Sequence, residues 1–163
     1  MSVTSIDKDF DALTLTLIAD FDATAERVWQ LWADPRLLER WWGPPSHPAT
    51  MVDHDLTSGG EVFYYMTSPE GEKYHGRWRF AEVNPPKSLE FIDTFADADG
   101  KPAEGMPTST IRMQLSTYDG GTSSLHSARR SAITLATCMP SWSHSPGSMQ
   151  TTAQAIAFRV ISA

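Results

Sequence analysis

The sequence has little of several residue types, and each scarcity excludes a class of protein. Cys138 is the only cysteine, so an internal disulfide is impossible and a reducing, cytoplasmic setting is expected. No run approaches the roughly 18 apolar residues that a membrane-spanning helix needs. The first residues, MSVTSIDKDFDA, are acidic and lack the apolar core of a signal peptide.

Basic residues are also few, with 13 Lys and Arg against 20 Asp and Glu and a net charge of −7. Nucleic-acid binding needs a basic face against the phosphate backbone, so this balance argues against it. The same balance argues against docking on an anionic membrane surface. We therefore expect neither a nucleic acid nor a membrane as a partner.

Motifs for metal binding and nucleophilic catalysis are missing as well. The five histidines show none of the short spacings of a zinc site, and no pair of cysteines supports one. There is no Gly-x-Ser-x-Gly elbow and no phosphate-binding glycine loop. Glu82 precedes Asn-Pro-Pro, which favours a place at a strand end or bulge over a general base. The sequence thus predicts no metal, no cofactor and no catalytic residue.

What the sequence does contain is a strand, two helices and then a run of strands. Residues 12–22 alternate apolar and polar side chains, which predicts a strand with one buried face. Helical spacing and a proline at the first helical position predict helices over 23–34 and 35–40. From 49 to 118, at least five strand patterns follow one another through short turns, so neighbouring strands must be antiparallel. The predicted class is α+β, in a single domain over 1–163.

Four segments, in register over about residues 12–118, resemble one known family. The residues FDATAERVWQLWADPRLLERWWGP at 21–44 end in Trp-Trp-Gly-Pro, and the segments 55–60, 69–76 and 82–89 follow in order. Together they resemble the activator of heat-shock-protein-90 ATPase homologue family of the START-like (SRPBCC) superfamily. The resemblance implies the helix-grip fold, in which a seven-stranded antiparallel sheet grips a long carboxy-terminal helix around an apolar cavity.

Aromatic residues are concentrated on the helix exit and the central strands, where the resemblance implies the cavity wall. Apolar ligand sites are lined by aromatic side chains with a few polar groups that fix orientation. We therefore predict a pocket for an apolar or amphipathic small molecule, with plain core packing as the alternative. The predicted lining residues are Trp41, Trp42, Phe63, Tyr65, Tyr74, Trp78, Phe80 and Phe91.

Strand alternation restricts the polar residues beside these aromatics. Only one of Tyr74 and His75 can face inward, and Arg77 and Arg79 share the face of His75, which favours a solvated outer face. The expected function is a non-catalytic binding module. The family's name suggests a chaperone-associated stress-response partner instead. An enzyme of the cyclase or dehydratase kind would need two convergent titratable groups, and the sequence names no such pair.

The tail differs from the rest of the chain, because every acid lies at or before Asp119 and arginines are the only charges in 122–163. Two interpretations stay open. In one, 132–137 is the last strand and 148–161, apolar along one helical face, is a shortened lid. In the other, the reading frame shifts after about Thr122, the pocket is open, and exposed apolar surface favours a homodimer.

Overall fold

The computed structural model describes residues 2–9, 11–119 and 129–138, which form one antiparallel sheet with two short helices on one face. The strands are β1 (Ser2–Asp9), β2 (Thr14–Phe21), β3 (Ala49–His54), β4 (Glu61–Thr67), β5 (Lys73–Asn84), β6 (Ser88–Ala96), β7 (Thr108–Asp119) and β8 (Arg129–Cys138). The helices, α1 (Ala25–Ala33) and α2 (Pro35–Leu38), connect β2 to β3. The strand order is β1-β2-β8-β7-β6-β5-β4-β3.

Local capping groups start both helices where the sequence predicts them. The Thr24 hydroxyl accepts a hydrogen bond from the Arg27 N–H at 3.3 Å and caps α1. The Asp34 carboxylate accepts from the Arg36 N–H at 2.8 Å and caps α2. The second helix ends at Leu38, two residues earlier than predicted, because the chain passes into turns before Trp41. The buried residues of α1 are Ala25, Val28, Trp29 and Trp32.

The face of the sheet that the helices cover, here called the inner face, is apolar along its central strands. Its buried side chains alternate with polar or exposed ones, as a strand with one buried face requires. Rings from α1 and from the turns after α2 pack on this face, with Trp42 4.5 Å from Trp78 between ring centroids and Trp32 6.0 Å from Phe91. Fully or almost fully buried residues of the face are Leu17, Ala19, Val62, Trp78, Phe80, Leu89, Phe91, Ile111 and Met113.

The first strand, β1, is one that no pattern in the sequence predicts. The described side chains of β1, at residues 5–9, are all exposed, so the strand shows no alternation of buried and exposed positions. Backbone pairing with β2 holds the strand instead. The turn between them is fixed by the Asp9 carboxylate, which accepts from the N–H groups of Asp11 and Ala12 at 3.0 and 2.8 Å. The sheet therefore has eight described strands, where the resemblance implies seven.

The last described strand, β8, confirms the strand predicted over 132–137. It lies between β2 and β7, and it pairs with β2 from Ser131 to Cys138 and with β7 from Arg129 to Cys138. Pairing on both sides satisfies backbone N–H and C=O groups whatever the side chains are. The lid predicted over 148–161 lies outside the described residues.

Glu39 connects the helices to the edge strand β3. Its carboxylate accepts the N–H of buried Met51 at 2.8 Å and a hydrogen bond from Arg36 at 2.7 Å. The register of β3 on β4 shifts between Met51 and Asp53, so this N–H lies at an irregularity of the ladder.

We predict that Glu39→Ala lowers the free energy of unfolding by about 1–3 kcal/mol, because the Met51 amide loses its acceptor. Glu39→Gln keeps an acceptor oxygen, so its free energy of unfolding is expected to fall clearly less than that of Glu39→Ala. Urea unfolding of both variants measures the difference. Equal losses would show that the side-chain oxygen is not what holds β3.

Candidate functional site

A polar pair lies within the apolar inner face, formed by Tyr64 on β4 and Asp93 on β6. The Tyr64 hydroxyl donates to the Asp93 carboxylate, with its oxygen 3.1 Å from Oδ1 and 3.4 Å from Oδ2. Strand β5 lies between the two residues, since Tyr64 pairs with Gly76 and Asp93 pairs with Trp78. The phenol ring therefore spans a whole strand to reach the carboxylate.

Gly76 makes this contact possible. The Tyr64 ring lies directly over Gly76, where an added Cβ would be 2.6 Å from Cε1 and closer still to Cζ and the hydroxyl. A side chain at this position would have to displace the ring. The glycine thus supplies the space through which Tyr64 reaches Asp93, as expected of a glycine inside a strand where another group approaches closely.

Aromatic rings enclose the pair. Trp42 packs edge to face on Tyr64, with centroids 6.1 Å apart at 89°, and Trp78 lies 5.7 Å from Tyr64. Phe91, two residues before Asp93 on the same face, packs on Trp78 at 4.4 Å. The carboxylate therefore lies against π systems rather than bulk water, which disfavours its charged form.

This environment shifts both protonation equilibria. Burial raises the pKa of Asp93 from 3.8 to about 7, while hydrogen bonding from Tyr64, the Trp78 indole and the Thr94 backbone acts in the opposite direction. Burial also raises the pKa of Tyr64 well above its ordinary value, and the negative charge of Asp93 raises it further. Near neutral pH the carboxyl group is therefore present in both forms, whereas the phenol stays protonated.

Two indole N–H groups face this pair without a hydrogen-bond acceptor among the described residues, those of Trp42 and Trp78. The Trp78 indole N–H interacts as a weak hydrogen-bond donor with Asp93 and Tyr64, and the Trp42 N–H does so with Tyr64, which lowers the pKa of these groups. Neither reaches hydrogen-bond geometry, although the two side chains are only 1% and 0% exposed. A buried donor whose hydrogen bond is poorly formed costs up to about 1–3 kcal/mol.

The pair is partly exposed to solvent at Asp93. Asp93 itself is half-buried, and Ser109 pairs with it from β7. Beyond them on the inner face lie Phe95, which is 47% exposed, and Tyr74, which is 51% exposed. We call Phe95 and Tyr74 the rim. Asp93 thus lies at the boundary between the aromatic core and an exposed aromatic rim.

The structure divides the eight predicted pocket residues between the two faces of the sheet. Phe63 and Tyr65 lie on the outer face, because alternation along β4 turns Val62 and Tyr64 inward. Phe63 stacks on His75 at 5.7 Å and 11°, which corrects the prediction that these residues share one wall with Trp78. On the inner side lie Trp41, Trp42, Tyr74, Trp78, Phe80 and Phe91. Ligand contact by these six stays a prediction.

The polar residues singled out in the sequence lie mostly where alternation puts them. Arg77 forms an ion pair with Glu61 and donates to the Gly100 carbonyl at 2.8 Å, on the outer face with His75. Glu82 is exposed at a register shift of β5 on β6, which confirms its place at a bulge. Within the described ranges, no group of three or more His, Cys, Asp or Glu could hold a metal ion. No helix of those ranges is long and apolar enough to span a bilayer.

The most informative pair, Tyr64 and Asp93, was not among the residues predicted from the sequence. Asp93 falls on the face of Leu89 and Phe91 when β6 is read with a period of two, and Tyr64 falls on the face of Val62. The signal available in the sequence was Asp93, an acidic residue at a position where strand alternation leads one to expect an apolar residue.

Comparisons with known proteins agree with this fold. The family model for Activator of Hsp90 ATPase homolog 1-like protein matches residues 22–151. The chain belongs to this family. The match includes β8, which favours the interpretation of the tail as containing a genuine last strand. No functionally curated protein matches the chain.

Solved structures of this family's fold support the assignment. A crystal structure from Mycobacterium smegmatis is 42% identical, covering 99% of this chain and 89% of that one, with a TM-score of 0.67. A solution structure from Arthrobacter aurescens is 38% identical, covering 98% and 83%, with a TM-score of 0.72. One from Staphylococcus epidermidis, 22% identical with coverage of 96% and 84% and a TM-score of 0.71, shares the fold. The predicted α+β helix-grip fold is confirmed.

We predict that Gly76→Ala lowers the free energy of unfolding by about 1–3 kcal/mol, because the new methyl group displaces the Tyr64 ring from Asp93. In a Tyr64→Ala background no ring is present, so the same change should cost little. Urea unfolding of both single variants and the double variant measures the coupling. The same cost in both backgrounds would contradict the role assigned to Gly76.

The raised pKa of Asp93 leads us to predict that the free energy of unfolding depends on pH. Its pKa is about 7 in the folded protein against an ordinary 3.8, so the folded state holds the proton more tightly than the unfolded chain. Its contribution to the free energy of unfolding therefore falls as pH rises from about 4 to about 7, by at most about 4 kcal/mol, and is constant above that range.

Asp93→Asn removes the charge and should gain stability relative to the natural protein across that pH range. Guanidinium unfolding at several pH values from about 4 to about 8 measures the gain. Asp53→Asn, at an exposed position of β3, is the control and should show no such trend. A difference between Asp93→Asn and the natural protein that does not vary with pH would contradict the burial of this carboxylate.

Proposed function

We propose that this protein binds a small apolar or amphipathic molecule on the inner face of its sheet, beside Tyr64 and Asp93. One observation carries the proposal: a half-buried carboxylate, hydrogen-bonded by a tyrosine, lies within an aromatic surface together with two buried indole N–H groups that form no well-shaped hydrogen bond in the described part of the chain. Apolar walls with a few convergent polar groups are the usual construction of a small-molecule site. Family membership supports a ligand-binding or chaperone-associated domain at this coarser level.

The energetic cost of Asp93 supports a binding role over plain core packing. Asp93 has no ion pair among the residues that the structure describes, so its carboxylate loses hydration against the indole rings, and an apolar residue of similar size would pack there without that loss. Strongly shifted pKa values are concentrated at functional sites for this reason. The rest of the face is built from well-packed apolar residues, so Asp93 departs from the pattern around it.

The rim offers a route for the ligand. Phe95 follows Asp93 by two residues on the same face of β6, and Tyr74 precedes Gly76 by two on β5. A molecule placed against the rim would cover exposed aromatic surface and bring one end to the carboxylate.

We place this function in one cytoplasmic domain, as expected from the lone cysteine.

An enzyme that uses the same pair is a second candidate. Tyr64 and Asp93 are two convergent titratable groups, and a carboxyl group with a pKa of about 7 is suited to proton transfer near neutral pH. A cyclase or dehydratase-like reaction would be supported by a turnover that Asp93→Asn abolishes while ligand binding persists.

A chaperone-associated role is a third candidate, and the family's description favours it. Binding to the middle domain of an Hsp90 in a pull-down with purified proteins, with stimulation of its ATPase, would support this role.

Native mass spectrometry of protein purified from cells is expected to show a bound apolar molecule, and the neutral dye Nile red should be displaced by it. Phe95→Ser removes apolar area at the rim and should weaken dye binding at least about fivefold. Ile92→Ser is the matched control, since Ile92 is 40% exposed on the opposite face of the same strand. Absence of both a bound molecule and dye binding, or equal effects of the two variants, would overturn the proposal.

A further inference from the structure

We propose that the molecule bound at the rim is a small organic cation, an apolar body that carries an ammonium group beside Asp93. This inference rests on the proposed binding function and names the charge of the ligand. It follows from the arrangement of one carboxylate, two exposed aromatic rings and the charges around them.

Asp93 and the two rim residues are neighbours on the inner face. Asp93 precedes Phe95 by two residues on β6, and Phe95 pairs with Gly76 of β5. Tyr74 precedes Gly76 by two residues, so Phe95 and Tyr74 form a diagonal pair, which in an antiparallel ladder corresponds to about 7–8 Å. One small molecule can therefore contact both rings and reach the exposed part of Asp93.

The rings of the rim offer exposed surface that suits a cation. Phe95 is 47% exposed and Tyr74 is 51% exposed. A cation is attracted to the face of an aromatic ring when it lies within about 6 Å of the centroid. On the outer face such a contact is present, because the Lys73 ammonium lies 4.1 Å from the Tyr65 centroid. In the described part of the chain, no cation lies over either ring of the rim in this way.

Negative charge surrounds the rim. The Tyr74 hydroxyl donates to the Glu72 carboxylate at 2.9 Å, and this hydrogen bond raises the pKa of Tyr74. The negative charges of Glu72 and Glu70 raise the same pKa further. The loop that follows Phe95 and β6, residues 97–107, contains three acidic residues and one lysine. These charges favour a cationic ligand over an anionic one.

The arginines on the strands beside Asp93 lie on the opposite face of the sheet. Arg77 pairs with Glu61 there, and Arg112 donates to Glu90 at 2.6 Å. The ion pairs within the described ranges do not include Asp93. When Asp93 is ionised, a bound cation would therefore supply the counter-charge that these strands do not.

Other anchoring groups suit the ionised carboxylate less well. An anionic group would be repelled by it. A hydrocarbon that covers Asp93 would remove water from the charge without replacing its hydrogen bonds. An ammonium group compensates the charge and donates to the carboxylate oxygens. It approaches the exposed part of Asp93, so the packing around the buried indoles stays unchanged.

Three probes built on one aromatic ring system test the charge of the ligand: naphthylethylamine, naphthylethanol and naphthylacetate. At about pH 8 they are cationic, neutral and anionic, and Asp93 is mostly ionised. Displacement of Nile red and isothermal titration measure their affinities. We expect the amine to bind the natural protein at least about fivefold more tightly than the alcohol, and the acetate to bind most weakly.

The preference for the amine should depend on pH through Asp93. Because its pKa is about 7, the carboxyl group is mostly ionised at about pH 8 and mostly neutral at about pH 6. The amine stays cationic across this range, so a change in its preference reports on the protein. We expect the preference for the amine over the alcohol to fall below about twofold at about pH 6.

The groups around Asp93 decide the control for this pH series. Tyr64 and Tyr74 stay protonated across it, because the pKa of each phenol is raised. Ser109 and the two indoles against Asp93 do not titrate. His47 lies 6.0 Å from Tyr74 between ring centroids, and histidine side chains can gain charge in this range. His47→Gln should therefore keep the pH dependence.

Asp93→Asn removes the charge and keeps the size of the side chain, so the preference for the amine at about pH 8 should fall below about twofold. Asp53→Asn makes the same change at an exposed site and should keep the preference. The two variants have the same net charge, so a difference between them cannot come from the overall charge of the protein. The pH series in the natural protein needs no variant and tests the proposal even if Asp93→Asn fails to fold.

The outcomes separate this inference from the function on which it rests. Equal binding of the amine and the alcohol at about pH 8, a preference that is the same at both pH values, or equal losses in Asp93→Asn and Asp53→Asn would overturn the cationic ligand while leaving apolar binding in place. If none of the three probes binds and no molecule copurifies, both proposals are overturned. A preference for the amine that disappears in Asp93→Asn and at about pH 6 supports both.

Discussion

The contact between Trp42 and Trp78 is the interaction on which the rest of the molecule depends. Trp42 lies in the turns that follow α2 and Trp78 lies in the middle of β5, so their packing at 4.5 Å fixes the helices over the centre of the sheet. Edge-to-face rings of this size bury large apolar areas and hold a defined geometry. Because Tyr64 and Phe91 pack on the same two rings, this contact also sets the position of the candidate site.

Stability and binding make opposite demands on this cluster. Packing favours apolar side chains throughout, yet the cluster contains the carboxylate of Asp93 and two indole donors for which the described ranges provide no well-formed hydrogen bond. Gly76 shows that the arrangement is specific. The interior of β5 has a residue without a side chain where the Tyr64 ring crosses the strand. The fold tolerates these local costs because the central part of the inner face, from Leu17 to Phe80 and Met113, is buried and well packed.

Period-two alternation predicts most of the fold and part of the site. It assigns the strands from β2 to β7, the outward direction of Arg77, and the burial of Trp78 and Phe91. It does not find β1, which is held by backbone pairing alone. Phe63 and Tyr65 were predicted to line the pocket because they are aromatic, without regard to the face that strand alternation gives them. They lie on the outer face. The Tyr64–Asp93 contact could not be read from either strand alone, because it joins residues separated by a whole strand and depends on the glycine between them.

The position of β8 has a consequence for the order in which the chain assembles. The hairpin of β1 and β2 is synthesised first, yet its neighbour in the sheet is the last described strand, with pairs from Phe21–Ser131 to Thr14–Cys138. The meander from β3 to β7 can form on the ribosome while that hairpin waits with an unpaired edge. A chain that stops before β8 would leave two open edges, at β2 and β7, and edges of this kind recruit other strands. Completing β8 is therefore the step that turns two sheets with open edges into one.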